Sequence, residues 1–403
     1  MKNRGLMFFV LYCATMCMSL SQFKIVPILS QLTENLGITY AQSSWMMSVF
    51  TIAAIILAIP IGGIVAKVGP KKSYITVLVI MVVGNVLGGF AIDNYPLLLF
   101  SRILEGCAFA IWNIAGVTLI NMWYPDKNNG LFIGTFMTFA AIASFIMLNV
   151  AVPISNAVGM TSLWWGVAIL TIVFTALFAL IVKEAPMAEQ QSDDGEKTEG
   201  SGLGSDFTKR GILALCISQL IIGFVLYFFL NNYPSLFTAC YGLDQGVANF
   251  YGSLNGLFGI PGCILGGFIL DRLGKEGAPK FVVFCFIVIA VVGFATAILA
   301  PWAWLFVLHT LLTAVFPGLV LTANNYLVPK CVSNPKNTGL ALGVLTLFYN
   351  VGIFIGSPII MYAVEGSGSW MMASYVLLAV GCIGLVAAIA YMTIAKKSAS
   401  AQA

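Results

Sequence analysis

Apolar runs of about twenty residues, each long enough to cross a hydrocarbon layer of roughly 30 Å as a helix, recur twelve times along this chain. They fall at 6–30, 42–66, 73–92, 96–123, 130–152, 163–183, 210–234, 247–270, 279–299, 302–328, 338–363 and 370–394. Backbone amides in hydrocarbon find no water, so a run of this kind must close its hydrogen bonds within itself as a helix. The chain therefore reads as an all-α membrane protein with twelve transmembrane helices. Charged residues make up 8% of it, against about 25% in soluble domains. Lys2 and Arg4 ahead of the first run imitate a signal peptide, but no small-residue cleavage site follows before the run continues, so it reads as a retained first span.

Basic residues are enriched in cytoplasmic loops, and here their placement is one-sided. With the N terminus inside, every Lys and Arg outside the spans, from Lys2 and Arg4 to Lys396 and Lys397, falls on the cytoplasmic side, and both termini are cytoplasmic. The net charge of +4 thus belongs to topology and is no nucleic-acid signal. One long polar stretch, Glu184 to Asp206, holds Glu184, Glu189, Asp193, Asp194, Glu196, Glu199 and Asp206 among glycines. It is too polar to bury a core and reads as a flexible linker. The expected organisation is an N-terminal six-helix bundle over 1–183, a cytoplasmic linker over 184–209 and a C-terminal six-helix bundle over 210–403.

The halves repeat. The stretch Gly267 to Gly274, G-F-I-L-D-R-L-G followed by Lys275, has a weaker copy at Gly62 to Gly69, where Ala66 and Lys67 replace Asp271 and Arg272 and Pro70, Lys71 and Lys72 follow. The offset is 267 − 62 = 205 residues, and Gly37 matches Gly242 at the same offset. Pro27 matches Pro234 after a two-residue slip. The eighth span carries Gly252, Gly256, Gly259, Gly262 and Gly266 along one face, a seam for close helix packing, as do Gly352 and Gly356. None of these glycines sits between a strand and a helix, so none is a nucleotide fingerprint.

The repeated stretch resembles the loop signature of the major facilitator superfamily, G-x-x-x-D-R-x-G-R/K-R/K, found between the second and third helices of each half. The resemblance covers the whole chain. It implies two pseudo-symmetric six-helix bundles, a substrate site near the midplane between the halves, a monomer, and transport rather than catalysis. Gly62, Gly69, Lys71, Gly267, Asp271, Arg272 and Gly274 would then belong to the cytoplasmic gate, stronger in the second copy because the first lacks its acid. In this fold helices one, four, seven and ten line the cavity.

Away from the span ends, four residues with charge or near-neutral titration lie inside spans: Lys24, Arg102, Glu105 and His309. Such groups are costly in hydrocarbon and mark either function or structural pairing. At about 1.5 Å per residue, Lys24, Arg102 and His309 enter their spans to similar depths of roughly 10 Å. Lys24 either snorkels outward along its stem or contacts substrate. Arg102 and Glu105, three apart, form either an internal pair or a proton-coupling site; with Gly106 they resemble the superfamily's fourth-helix motif R-x-x-Q/E-G. His309 either satisfies a backbone carbonyl or takes part in proton transfer. Two cations and a His against one carboxylate favour an anionic guest. Polar and aromatic candidates around it are Asn231, Asn232 and Tyr233 on span seven, Trp112 and Asn113 on span four, and Tyr349 and Asn350 on span eleven; Asn324 and Asn325 add to these on span ten. This lining favours a small organic anion with some apolar body over a polyol.

Lys24 on helix one and Arg102 on helix four look like the organic-anion symporters, and Gln22, Phe23, Lys24 with Trp123, Tyr124, Pro125 are similar to bacterial anion porters of the cyanate-transporter type. The expected function is secondary active transport of a carboxylate-like anion by alternating access in a bacterial cytoplasmic membrane, as proton symport or anion exchange. Lys24, Arg102 and His309 would hold substrate, with Glu105 as proton carrier. The alternatives are efflux of apolar or cationic compounds and a non-transporting nutrient sensor. No cofactor is expected. Cys13 and Cys17 lie one turn apart without His or carboxylate neighbours, a poor metal pair, and one His cannot furnish an intramembrane metal hydrolase.

Overall fold

The computed structural model describes residues 3–57, 61–124, 132, 135–136, 138–183, 211–299, 301–332 and 338–400. The linker expected over 184–209 lies outside them. Every regular element among the described residues is helical: α1 Arg4–Phe23, α2 Leu29–Leu36, α3 Tyr40–Ser48, α4 Ile52–Leu57, α5 Ile61–Val68, α6 Pro70–Phe90, α7 Tyr95–Trp123, α8 Phe139–Val158, α9 Thr161–Ile181, α10 Ile212–Tyr241, α11 Gln245–Ala295, α12 Ala303–Cys331, α13 Thr338–Ser367 and α14 Met371–Ser400. Eleven helices among the described residues are long and apolar enough to cross a membrane. The expected eighth and ninth spans are the two arms of α11, which meet at Gly274, φ 62° and ψ −165°.

The chain forms two compact units, Met1–Ile38 with Val49–Glu199, and Thr39–Ser48 with Gly200–Ala403. In the first, α6 packs on α7 and α9, and α1 packs on α8 and α9. Its core gathers Met18, Tyr74, Leu119, Trp123 and Phe178. In the second, α11 packs along α12 and α14, and α10 along α13. Here the core runs through Phe228, Phe229, Tyr233, Phe286 and Val320. The short helix α3 joins this unit on α13: the Ala41 amide donates to Glu365 Oε2 at 3.1 Å, and Trp45 Nε1 donates to the Tyr362 hydroxyl at 3.2 Å.

Local signals explain most ends. Asn94 caps α7, its side chain accepting from the Leu97 amide at 3.1 Å, with Pro96 in the first turn where no amide is needed. The repeat is visible in the backbone. Gly69 and Gly274 both hold positive φ, 90° and 62°, at the corner that each copy of the motif turns, a conformation costly for any residue with a Cβ.

Two expected spans are discontinuous. The first, 6–30, stops at Phe23 and restarts at Leu29, with Pro27 in the gap. The second, 42–66, passes through a 3₁₀ turn at Val49–Thr51 between α3 and α4, and residues 58–60 lie outside the described set. The fifth span extends further than its apolar run suggests, reaching Val158 rather than 152, because Pro153 is carried inside the helix.

Small residues set the close approaches. A Cβ on Gly352 would fall 2.0 Å from the Leu220 carbonyl oxygen, and one on Gly356 2.8 Å from that of Phe224, so α13 and α10 meet backbone to backbone. In the glycine-rich arm of α11, Gly252 faces Tyr233 and Pro234, whereas Gly262 and Gly266 face Val315 and Thr322 of α12. We predict that Gly352→Val lowers the yield of monodisperse protein about tenfold in size-exclusion chromatography, as overpacking a backbone contact costs several kcal/mol. Gly343→Ala on the same helix, with nothing within 4 Å of the added Cβ, should leave yield unchanged.

Candidate functional site

The site in the first unit begins with a helix that stops early. Pro27 has no amide to offer the Phe23 carbonyl, and its ring opposes a continuing helix. The chain tightens instead: Val26 N–H turns to Phe23 O at 3.2 Å and Ile28 N–H to Ile25 O at 3.2 Å. In an unbroken helix the Val26 amide would serve Gln22, so its diversion leaves that carbonyl without its helical donor. Arg102 of α7 supplies the replacement. Its Nη1 donates to Ser21 O at 2.7 Å and its Nη2 to Gln22 O at 3.0 Å.

Glu105 lies one turn along α7 and accepts from both cations. Lys24 Nζ reaches Oε1 at 2.9 Å, Arg102 Nη1 reaches Oε2, and the Ser21 hydroxyl donates to Oε2 at 2.9 Å. Lys24 Nζ also donates to Asn85 Oδ1 of α6 and stands 4.6 Å from the Trp164 ring centroid, while Arg102 lies 4.7 Å over the Phe50 ring. All three charged side chains are fully buried, at 0% exposure. Two cations and one carboxylate leave one net positive charge in this cluster when all are ionised. The Lys24 head points into the unit, which excludes the snorkelling alternative, and neither cation is open to a ligand in this conformation. Sequence reasoning missed Ser21 and Asn85. The available signal was a lone Asn inside the apolar third span.

In the second unit, Tyr233 and His309 meet. The Tyr233 hydroxyl bonds His309 Nδ1 at 2.8 Å and also Thr313 Oγ1, and His309 Nε2 reaches Val292 O at 3.1 Å. With Nε2–H donating to the carbonyl, Nδ1 accepts from the phenol. Asn255 Nδ2 donates to Thr313 at 3.2 Å. His309 therefore satisfies a backbone carbonyl, the simpler of its two readings. Asn232 Nδ2 donates to Phe228 O and Ser357 Oγ, both at 2.9 Å. Asn231 and Asn350 are buried, Tyr349 sets its ring edge-on to Tyr227 at 6.3 Å, and Asn324 Nδ2 donates to Gln219 Oε1 at 2.8 Å. Asn325 is exposed and bonds back to Leu321 O at 2.8 Å within its own helix.

Of the other candidates, Trp112 packs edge-on against Phe139 at 4.8 Å, so that ring serves the α7–α8 packing. The side chains of Asn113 and Asp271 lie outside the described residues, as do the surroundings of Gly62 and Gly267. Arg272 is exposed over the Phe268 ring at 4.7 Å. Lys71 donates to the Ala179 carbonyl at 2.8 Å, tying the start of α6 to the end of α9.

The family model described as Major Facilitator Superfamily matches residues 11–308. The chain is 24% identical over 405 residues to the probable galactarate/D-glucarate transporter GarP of Escherichia coli K12, covering 90% of this chain and 88% of that protein. It is 24% identical over 410 residues to the probable sulfoacetate transporter SauU of Cupriavidus necator, covering 94% and 90%. A hexuronate transporter of Bacillus subtilis is 24% identical over 358 residues, covering 84% and 82%. Among solved structures, a bacterial homolog of the human lysosomal transporter Spinster, inward-facing and unoccupied, superimposes with a TM-score of 0.79 at 14% identity, covering 98% of this chain and 97% of that one.

The charge count of the cluster predicts unequal costs. Glu105→Gln leaves two buried cations without a counter-charge and should destabilise the purified protein by about 3–5 kcal/mol, the range for breaking a buried pair. Lys24→Met leaves the Arg102–Glu105 pair neutral overall and should cost far less. Thermal unfolding of the two variants in detergent measures the difference, and a larger loss for Lys24→Met would contradict this charge account.

Proposed function

Because the chain belongs to the Major Facilitator Superfamily, we propose that it is a secondary active transporter that moves a small organic anion by alternating access. The observation that carries this reading is the Lys24–Glu105–Arg102 cluster, whose net charge is positive and whose only carboxylate is shared by both cations. The relatives' named substrates, galactarate, D-glucarate, hexuronate and sulfoacetate, are all small organic acids, and most carry several hydroxyls. They support a hydroxylated carboxylate over an anion with an apolar body as the substrate we propose.

Charge balance supplies the mechanism we favour, proton symport. With Glu105 ionised, both cations are paired and the cluster is closed. A proton on Glu105 removes the one counter-charge and leaves two buried cations, a state several kcal/mol less favourable unless another anion replaces it. An incoming carboxylate is that replacement, so proton and substrate enter together and leave together. Lys24 is the cation released for substrate, because Arg102 remains bound to the carbonyls of Ser21 and Gln22. Glu105 is the proton carrier. The side chain of Lys24 must turn out of its buried position during the cycle.

Uptake by proteoliposomes under an imposed inward proton gradient tests this reading. Radiolabelled D-glucarate or a hexuronate should accumulate, faster as the external pH falls, and Lys24→Met should reduce the rate at least about tenfold, the loss of one ion pair to substrate. Transport of hydrophobic cations with no response to these acids would sink the proposal in favour of an exporter. Specific binding without flux would favour a sensor.

A further inference from the structure

Apart from the charged cluster, the second unit carries a groove that transport chemistry does not use. It runs between the first turns of α10 and the last turns of α14, is open along its length with room for about 380 Å³, and is lined by Gly211, Ala214 and Ile217 on one side and Val386, Ala387 and Ile394 on the other. No lining side chain bears a nitrogen or oxygen. The volume is at the low end of ligand pockets, about 300–1,000 Å³. That room suits a single flexible hydrocarbon chain better than a compact polar solute, which would find no hydrogen-bond partner.

Charge begins one helical turn beyond the groove. At 100° per residue, Ile383, Val386, Ala387, Ala390 and Ile394 form one stripe of α14, and Lys397 continues it one turn beyond Ile394. Lys396 faces the opposite side of the same turn. Lys397 is exposed, at the end of a membrane span that closes Met371–Lys397. An apolar trough that opens onto a lysine at the membrane–water boundary matches one kind of molecule in charge and in polarity. We infer that the α10–α14 groove is a site for an anionic phospholipid, its acyl chain against Ala214, Ile217 and Ala387 and its phosphate at Lys397. A basic side chain at this level attracts acidic headgroups, and the apolar wall holds the chain by removing it from contact with mobile lipid.

Photo-crosslinking tests the assignment. The full-length protein is placed in phosphatidylcholine vesicles with a trace of phosphatidylglycerol carrying a diazirine in its acyl chain, or with a phosphatidylcholine probe of the same chain, and adducts are mapped by peptide mass spectrometry. Adducts are expected on 211–217 and 383–394, with a yield about fivefold higher for phosphatidylglycerol, the preference one lysine gives. Lys397→Gln should bring that yield down to the phosphatidylcholine level, while Lys396→Gln leaves it unchanged. Ala387→Phe, which fills the trough, should remove adducts of both probes, and circular dichroism and uptake confirm that this variant folds. Equal yields for the two headgroups, or equal effects of the two lysine substitutions, would overturn the proposal and mark the groove as ordinary lipid contact.

Discussion

A helix that ends inside hydrocarbon leaves carbonyls with no water to bond, and much of the first unit is arranged around one such ending. Pro27 breaks the first span at Phe23, the diverted Val26 amide leaves Gln22 O without its helical donor, and the guanidinium of Arg102 takes both Ser21 O and Gln22 O. A buried guanidinium in turn requires a carboxylate, which Glu105 provides. Glu105 then has an oxygen left for Lys24, whose ammonium also donates to Asn85 Oδ1. Each buried polar group is thus the reason for the next, starting from a proline.

The second unit meets the corresponding problem without charge. Pro234 occupies the repeat position of Pro27, yet α10 runs through it from Ile212 to Tyr241. Tyr233 stacks on Phe229 and on Phe237, both at 5.0 Å, a ladder that keeps the helix in register on either side of the proline. His309, at an offset of 309 − 102 = 207 from Arg102, donates to a single carbonyl and is completed by Tyr233 and Thr313. The duplication therefore preserved the corners, Gly69 with Gly274, and diverged at the membrane-buried polar positions.

The architecture was legible in the sequence because its determinants are local: apolar runs of span length and glycines at fixed offsets. The charged residues of the cluster were legible because they are rare in spans. Their pairing was only half so. Arg102 with Glu105 is a three-residue spacing on one helix, whereas Lys24 reaches Glu105 across 81 residues of chain, a distance fixed by packing that no spacing encodes. The expectation of a continuous first span failed because hydropathy is blind to the missing amide of Pro27, and Ser21 and Asn85 carry no charge to mark them within their spans. Depth in the span groups His309 with Lys24 and Arg102, but its hydrogen bonds run to Tyr233, Thr313 and Val292 in its own unit. Similar depth along a helix axis says nothing of which way a side chain faces.

The way Arg102 holds the end of α1 has a mechanical consequence. A guanidinium that only paired with a carboxylate could swing away alone, but this one is also the cap of a helix terminus. Pulling it free would strip two carbonyls of their donors in an apolar medium, at several kcal/mol each. Arg102 and the end of α1 at Ser21 and Gln22 must consequently travel as one piece. Any event that shifts the charge on Glu105 acts directly on the backbone hinge of the first helix, so the electrostatics of one carboxylate and the bending of a membrane span are a single degree of freedom.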